Sequence, residues 1–330
     1  VNHGSPPPTL RAPAILDLRG DDATDGLTRL RADLAGEPPC IEPKFFYDPL
    51  GASLFEAITR LPEYYLTRTE DAIAAEYSPA IAAHIRETTP SRARQTTLID
   101  LGAGSCEKAS RWITELQAQR YVAVDIALAG LPAALDRLQQ QHPDVDLVGV
   151  GCDFSRQLRL PTLPGAAIVL YPGSSIGNFS PAQARHFLGE VHAACAGGGL
   201  LIGVDLIKPA AVLEAAYDDA LGVTAAFNRN VLLHVNRLLG ADFRLQDWSH
   251  AAFYNPAEQR VEMHLEARRT VSVTWPGGGR RFAKGMRIHT ENSYKWDPDA
   301  FGQLLAASGF GHQRRWSDPQ EQFAVFWAAG

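Results

Sequence analysis

Leu98–Lys108 reads LIDLGAGSCEK, and the reading of this stretch decides the fold. Leu98, Ile99 and Leu101 form the short apolar run that a strand buried on both faces requires. Asp100 stands near its carboxyl end, and Gly102 and Gly104 follow at once. After Glu107 and Lys108 a helix-like stretch continues through Trp112, Ile113 and Leu116. Strand, glycine turn and helix in this order bring backbone N–H groups and a helix N-terminus close to a nucleotide-like ligand. A dinucleotide fingerprint would carry a third glycine, and Cys106 stands near that place. The turn is therefore the shorter acidic-x-Gly-x-Gly type. It fits a bound nucleotide-like ligand, with a tight glycine bend that binds nothing as the lesser reading.

Downstream, strands and helices alternate. Strands are expected at 96–101, 120–126, 145–150, 167–171 and 199–206, and helices at 107–118, 130–141 and 181–195. Ser180 and Pro181 supply the last helix with an N-cap and a proline at its first position. This is the pattern of a doubly wound parallel sheet, whose ligands lie at the carboxyl ends of the strands. Gly102 and Gly104 fall at the first of those ends, in a turn of the kind that holds S-adenosylmethionine in methyltransferases. Asp125 falls at the second, where a carboxylate can accept both hydroxyls of a ribose. Asp153 and Phe154 fall at the third, where a polar side chain and a ring can hold an adenine. Each could be a surface acid or a core ring on its own; together they resemble the S-adenosylmethionine site of methyltransferases.

Composition sets the bounds. At 330 residues the chain has room for two domains, or one with a large insertion, and 45% hydrophobic with 21% charged residues is ordinary for a globular protein. A formal charge of −6 without long Lys/Arg runs disfavours nucleic acid and anionic membrane as partners. No apolar run reaches the roughly 20 residues of a membrane span, and no signal peptide is visible. The four cysteines (Cys40, Cys106, Cys152, Cys195) lack CxxC spacing and read as reduced thiols of a cytoplasmic protein; a monomer is expected. The ten histidines show no HxxxH or similar spacing, so no metal is expected; His264 and His289 read as satisfied strand residues.

The flanks are different. Residues 1–13 are Pro-rich and read as poorly ordered. Leu27, Leu30 and Leu34 mark an amphipathic helix closed by Gly36, and Leu54, Ile58 and Leu61 mark a second. Thr67 and Glu70 stand at capping-box spacing, Ser78–Pro79 suggests a helix restart, and Thr88–Gln95 reads as a linker. After Lys208 the parallel alternation stops. Residues 210–240 are helical in pattern; strand-like runs follow at 250–255 and 260–274, with a Gly-rich turn at Gly277–Gly279. Asp297–Pro298 starts a helix to about Ser308, and runs at 311–316 and 322–328 suggest a closing hairpin.

KFFYDPLGASLFEAITRLPEYYLTRTE, YPGSSIGNFSP, YDDALGVTAAFNRN, VEMHL and IHTENSYKW together resemble one family from Lys44 to the end of the chain. It is the S-adenosylmethionine-dependent histidine Nα-methyltransferases, which make trimethylhistidine (hercynine) for ergothioneine biosynthesis. The resemblance implies an α/β fold: a class I, Rossmann-like methyltransferase sheet with a terminal antiparallel hairpin, plus a second α+β domain. Residues 1–69 and 208–292 would form the substrate-binding domain, and 70–207 with 293–330 the methyltransferase core. Gly102, Gly104, Lys108, Asp125, Asp153 and Phe154 would hold the cofactor. Tyr64 and Asn178 would meet the amino and carboxylate end of L-histidine, and Tyr217 its carboxylate. Glu291 and Ser293 would hydrogen-bond the imidazole, with Met263 beside it. His264 and the Tyr294–Trp296 neighbourhood depart from the expected pattern and could reshape the pocket wall.

Methyl transfer from a sulfonium is an in-line displacement, so orientation supplies much of the catalysis. The amine must be neutral to attack, and no strong base stands out; Tyr47 or a water is the candidate, and Tyr47 also suits a methylated cation through cation–π contact. Singly, these residues have blander readings. Tyr64 could mark a core boundary, Asn178 could form a turn, and Glu291 with Ser293 could be an exposed strand pair. Two other functions compete: the same chemistry on thiohistidine or tryptophan, and a relative that binds S-adenosylmethionine without catalysis. Glu291 with Ser293 favours an imidazole, since an indole offers one donor and no acceptor.

Overall fold

The computed structural model describes residues 12–19, 22–89 and 96–330. In chain order its strands are β1 (Ala14–Asp17), β2 (Thr97–Leu101), β3 (Arg120–Asp125), β4 (Asp146–Gly151), β5 (Ala167–Tyr171), β6 (Gly199–Asp205), β7 (Trp248–Asn255), β8 (Arg260–Ala267), β9 (Val271–Trp275), β10 (Gly278–Phe282), β11 (Arg287–Tyr294), β12 (Gln313–Ser317) and β13 (Phe323–Ala329). The α-helices are α1 (Asp22–Ala35), α2 (Pro49–Ile58), α3 (Tyr65–Thr88), α4 (Ala109–Leu116), α5 (Leu131–Gln141), α6 (Pro181–Cys195), α7 (Ala210–Tyr217), α8 (Val223–Leu239) and α9 (Pro298–Ala307).

Eight strands form one sheet in the order β1-β4-β3-β2-β5-β6-β13-β12. From β1 to β6 neighbours are parallel; β13 runs antiparallel between β6 and β12. The expected α/β sheet with its closing hairpin is therefore present, and alternation along each strand divides its core. Leu98, Tyr121 and Leu170 join one apolar cluster with α3, α4, α5 and the segments after Lys208. Ile99, Leu101, Val122 and Val169 join the other, with Phe187 of α6 and Phe301 of α9. Strand β1, which no apolar alternation announced, adds to the open edge of β4.

Several local expectations are corrected. Residues 1–11 and 90–95 lie outside the described residues, so the disorder and linker readings there are not addressed. α3 passes through Pro79 without a restart, because Ile73, Ile81 and Ile85 are buried on both sides of it. Tyr64, not Thr67, occupies the N-cap position of α3, and no side chain caps it. Thr67 and Glu70 lie inside the helix, so there is no capping box. Leu61 lies beyond the end of α2. The helical block 210–240 is two helices, because Gly222 turns at φ +76° and Asp219 accepts the N–H groups of Val223 (3.0 Å) and Thr224 (2.7 Å).

The segments after Lys208 build a three-stranded antiparallel sheet, β11-β8-β7, and the β9–β10 hairpin. Helix α8 packs against the N-terminal segments: Phe227 stacks on Phe46 at 4.6 Å, and Asn230 donates to Asp48 at 2.7 Å. Gly199, at the start of β6, lies against the ring of fully buried Trp327 where a Cβ would overlap the indole. Gly199→Ala should lower stability by ~1–3 kcal/mol, the usual cost of overpacking a filled core, as read from the urea midpoint at unchanged m.

Candidate active site

The turn after β2 is built on positive φ, +73° at Gly102 and +51° at Gly104, where an L side chain is strained. The N–H of Gly102 donates to the Val124 carbonyl at 2.8 Å, which ties the turn to the end of β3. There Asp125 accepts the N–H of Gly104 at 2.9 Å on one oxygen and that of Ala127 at 2.8 Å on the other. Burial raises this carboxyl and the backbone bonds oppose the rise. Both oxygens keep further lone pairs beyond these bonds. Phe154 faces Gly102, where an added Cβ would come to ordinary contact with its ring, and meets Tyr171 edge-on at 5.9 Å.

Asp153 accepts from Lys44 at 3.0 Å and also from Ser155. Lys108 pairs with Glu70, whose carboxylate also accepts the N–H of Gly173 at 2.9 and 3.0 Å. Lys44, Glu70 and Asp100 are additions to the residues expected from sequence. Lys44 stood in a quoted motif with no role, and Glu70 had a plausible local one. Asp100 is pushed up to about 6 by burial; Tyr121 donates to one of its oxygens at 2.7 Å and the other has no partner. Gly102, Gly104, Lys108, Asp125, Asp153 and Phe154 all border a single cavity of about 1620 Å³.

Tyr47, Tyr64 and Asn178 border the same cavity; Tyr217, Met263, Glu291 and Ser293 do not line it, but Tyr217 touches Tyr64 and Glu291 touches Asn178. The Tyr64 and Tyr217 rings meet edge-on at 6.2 Å. Asn178, with its amide turned to suit its neighbours, donates to Glu291 Oε1 (3.3 Å) and the Asn292 carbonyl (3.1 Å). Both N–H groups are then used, and its remaining polar atom is an acceptor. Gly177 allows this turn to lie on β11, for a Cβ would come 3.0 Å from the Tyr294 carbonyl oxygen.

A β-bulge aims Glu291. His289 pairs with His264, yet Glu291 pairs with Met263, so Thr290 is an extra residue in β11. Simple alternation would put His289, Glu291 and Ser293 on one face. The bulge instead leaves His289 with His264, and places Glu291 and Ser293 with Met263 and Val261. Buried Thr290 holds the kink by donating to Asn228 (2.8 Å) or to the Met263 carbonyl (3.0 Å). Ser293 Oγ lies 2.7 Å from the Tyr217 hydroxyl. Burial pushes Glu291 up to about 7, with Lys295 opposing. Burial first, then Glu291, Asp125 and Tyr217, drive Tyr47 far upward, so it meets the site as a neutral phenol.

Spacing along the chain missed one cluster. Glu262, His264 and His289 bring donor atoms within 4.8 Å of one another, because the third member comes from the neighbouring strand. Its groups bond one another and their surroundings: His264 with Glu262 (3.0 Å), His289 with Asn292 (2.9 Å), and Arg260 with Glu262 (2.9 Å). The ring of His264 stacks on Phe253 at 5.3 Å, and Tyr294 accepts from Arg260 at 2.6 Å. The residues that depart from the expected pattern are thus joined through Arg260 and Glu262.

Comparison with known proteins adds a family. The model for "Histidine-specific methyltransferase, SAM-dependent" matches residues 21–329. The chain belongs to this family. A histidine N-alpha-methyltransferase of Mycolicibacterium smegmatis is 38% identical over 93% of this chain and 96% of its own length. That of Mycobacterium tuberculosis is 38% identical over 96% of this chain and 99% of its own. Ergothioneine biosynthesis protein 1 of Schizosaccharomyces pombe is 30% identical over 80% of this chain and 35% of that protein. Family membership makes the chain an S-adenosylmethionine-dependent methyltransferase. The positive-φ turn and the bridging Asp125 fit that cofactor, since they present backbone and carboxylate to a common cavity.

Asp125→Ala should weaken S-adenosylmethionine binding by ~1.5–3 kcal/mol per charge-assisted bond lost, with calorimetry as the measurement. A second expectation follows from the sign of the Glu291 shift. Its folded-state value lies above the unfolded one, so its contribution to stability is complete below the unfolded value and is lost as pH rises through about 7. Burial raises the neighbouring phenols Tyr47, Tyr64 and Tyr217, so they stay neutral over that range. Urea unfolding without ligand should show this loss, and Glu291→Gln should remove it.

Proposed function

We propose that this methyltransferase acts on the α-nitrogen of L-histidine, adding three methyl groups in turn to give hercynine for ergothioneine biosynthesis. The observation that carries the reading is the bulge in β11, which sets Glu291 and Ser293 on one face, with Glu291 against Asn178 of the cavity that Asp125 also borders. An imidazole presents two nitrogens, and these two side chains offer partners for both. The family description and the relatives' names support the same substrate.

When bound, the cofactor supplies a sulfonium methyl open to in-line displacement. Asp125 and the Gly102–Gly104 turn hold it, with Phe154, Asp153 and Lys108 around its remaining parts. Tyr64, Asn178 and Tyr217 receive the amino acid. The acceptor atom of Asn178 suits the α-amine, and the proton of the ammonium leaves to water through the cavity. Tyr47, held neutral, orients the amine and faces the growing cation with its ring rather than acting as a phenolate base. Orientation and exclusion of other poses then supply the catalysis. We further propose the domain division expected from sequence, in which 1–69 and 208–292 form the substrate-binding domain and 70–207 with 293–330 the methyltransferase core, with Asn178 and Ser293 reaching the amino acid from the core. A monomer in the cytoplasm remains our reading of the assembly and compartment.

With excess cofactor, mass spectrometry should find three methyls on the α-nitrogen and none on the ring; a product with one methyl, or with ring methylation, would overturn the orientation. A site that hydrogen-bonds its substrate rejects analogues lacking the partners by about 10⁴-fold or more. The kcat/KM ratio of histidine over tryptophan should therefore be large, and should fall in Glu291→Ala, where no buried carboxylate is left unpaired by an indole.

A further inference from the structure

Lys295 is one of the most deeply buried charges in the molecule, and its ammonium touches nothing of the cofactor turn. It lies just after β11, with its side chain and that of Asp205 both 0% exposed. Its Nζ lies 2.8 Å from Asp205 Oδ2, 2.7 Å from Ser293 Oγ and 3.1 Å from the Tyr217 hydroxyl. The two hydroxyls are themselves 2.7 Å apart. An ammonium has three protons to give and no lone pair, so both hydroxyl oxygens must accept from it. One hydroxyl proton is consumed in the bond between Tyr217 and Ser293. The pair is left with one proton to give and one lone pair to receive.

We infer that Lys295, anchored by Asp205, is a positioning residue for amino acid recognition: it fills one acceptor site on each of the Tyr217 and Ser293 hydroxyls and so leaves the pair one donor and one acceptor for the substrate. The inference rests on the histidine reading above. Without Lys295 each hydroxyl oxygen regains an acceptor site, and the pair presents three acceptors to one donor. Histidine suits the balanced pair, since its carboxylate accepts while a ring N–H donates. Asp205 is not orphaned by removal of the lysine, because Tyr65 donates to it at 2.7 Å and Lys208 at 2.6 Å.

The test compares wild type, K295M, K295Q and S293A by histidine kinetics and by titration with S-adenosylhomocysteine. K295M should raise the KM for histidine by about tenfold or more, the equivalent of one hydrogen bond to a charged group. kcat at saturating histidine and affinity for S-adenosylhomocysteine should stay within about twofold. K295Q, which keeps an N–H donor, should recover part of the loss. Because Lys295 acts through the hydroxyls, K295M/S293A should cost no more than the larger single change. Unchanged histidine KM in both lysine variants, strictly additive losses, or cofactor affinity falling in step would each overturn the assignment, the last making Lys295 a structural residue. A wild-type protein that neither binds nor methylates histidine would instead overturn the substrate reading, and this inference with it.

Discussion

Asp205 carries a negative charge at the end of β6 with no access to water, and its burial constrains everything around it. An isolated carboxylate in such a place is prohibitively costly, so the fold must deliver partners to it. They come from three separate stretches: the Tyr65 hydroxyl at the start of α3, Lys208 just beyond β6, and Lys295 just beyond β11. Satisfying one charge therefore brings the N-terminal helix, the parallel sheet and the strands after Lys208 into one arrangement. Tyr64, Tyr217 and Ser293 lie on or beside those same stretches.

A second constraint works at the cofactor end. Glu70 of α3 reaches the Gly173 amide beyond β5 and pairs with Lys108 before α4, which links the long helix to the mouth of the sheet. Gly203 leaves room for it, since a Cβ there would overlap the Glu70 carboxylate. Lys44 likewise reaches Asp153 across the cavity. N-terminal residues thus wall the space that the glycine turn opens, so that cofactor and amino acid can share one enclosure. Burial is the leading cause of the upward shifts of Asp100, Tyr47 and Glu291.

The bulge in β11 shows how small a backbone change redirects side chains. One residue too many, Thr290, reverses the parity of the strand. Glu291 turns inward beside Met263, while His289 stays with His264 and Glu262 on the other face. Two faces of one sheet therefore hold different polar sets, one for the site and one closed largely upon itself.

Much of this was legible in the chain, because its signals are local. Buried parallel strands advertise themselves as apolar runs, a helix as a 3.6-residue rhythm, and a left-handed turn as glycine, so β2 to β6, α4 to α6 and the Gly102–Gly104 turn could be placed from neighbours alone. The long motifs carried the family, which composition and periodicity could not. What escaped depends on distant partners. Glu70 looked like a cap and Pro79 like a break, because their true partners lie on other elements. Edge strand β1 is exposed along its length and has no alternation to read. The bulge at Thr290, the gathering of Glu262 with His264 and His289, and the burial of Lys295 against Asp205 need two or more segments to meet. Sequence determined which elements form and which chemistry they carry; only the tertiary structure decided which faces those side chains share, since register and burial are set by long-range packing and not by local preference.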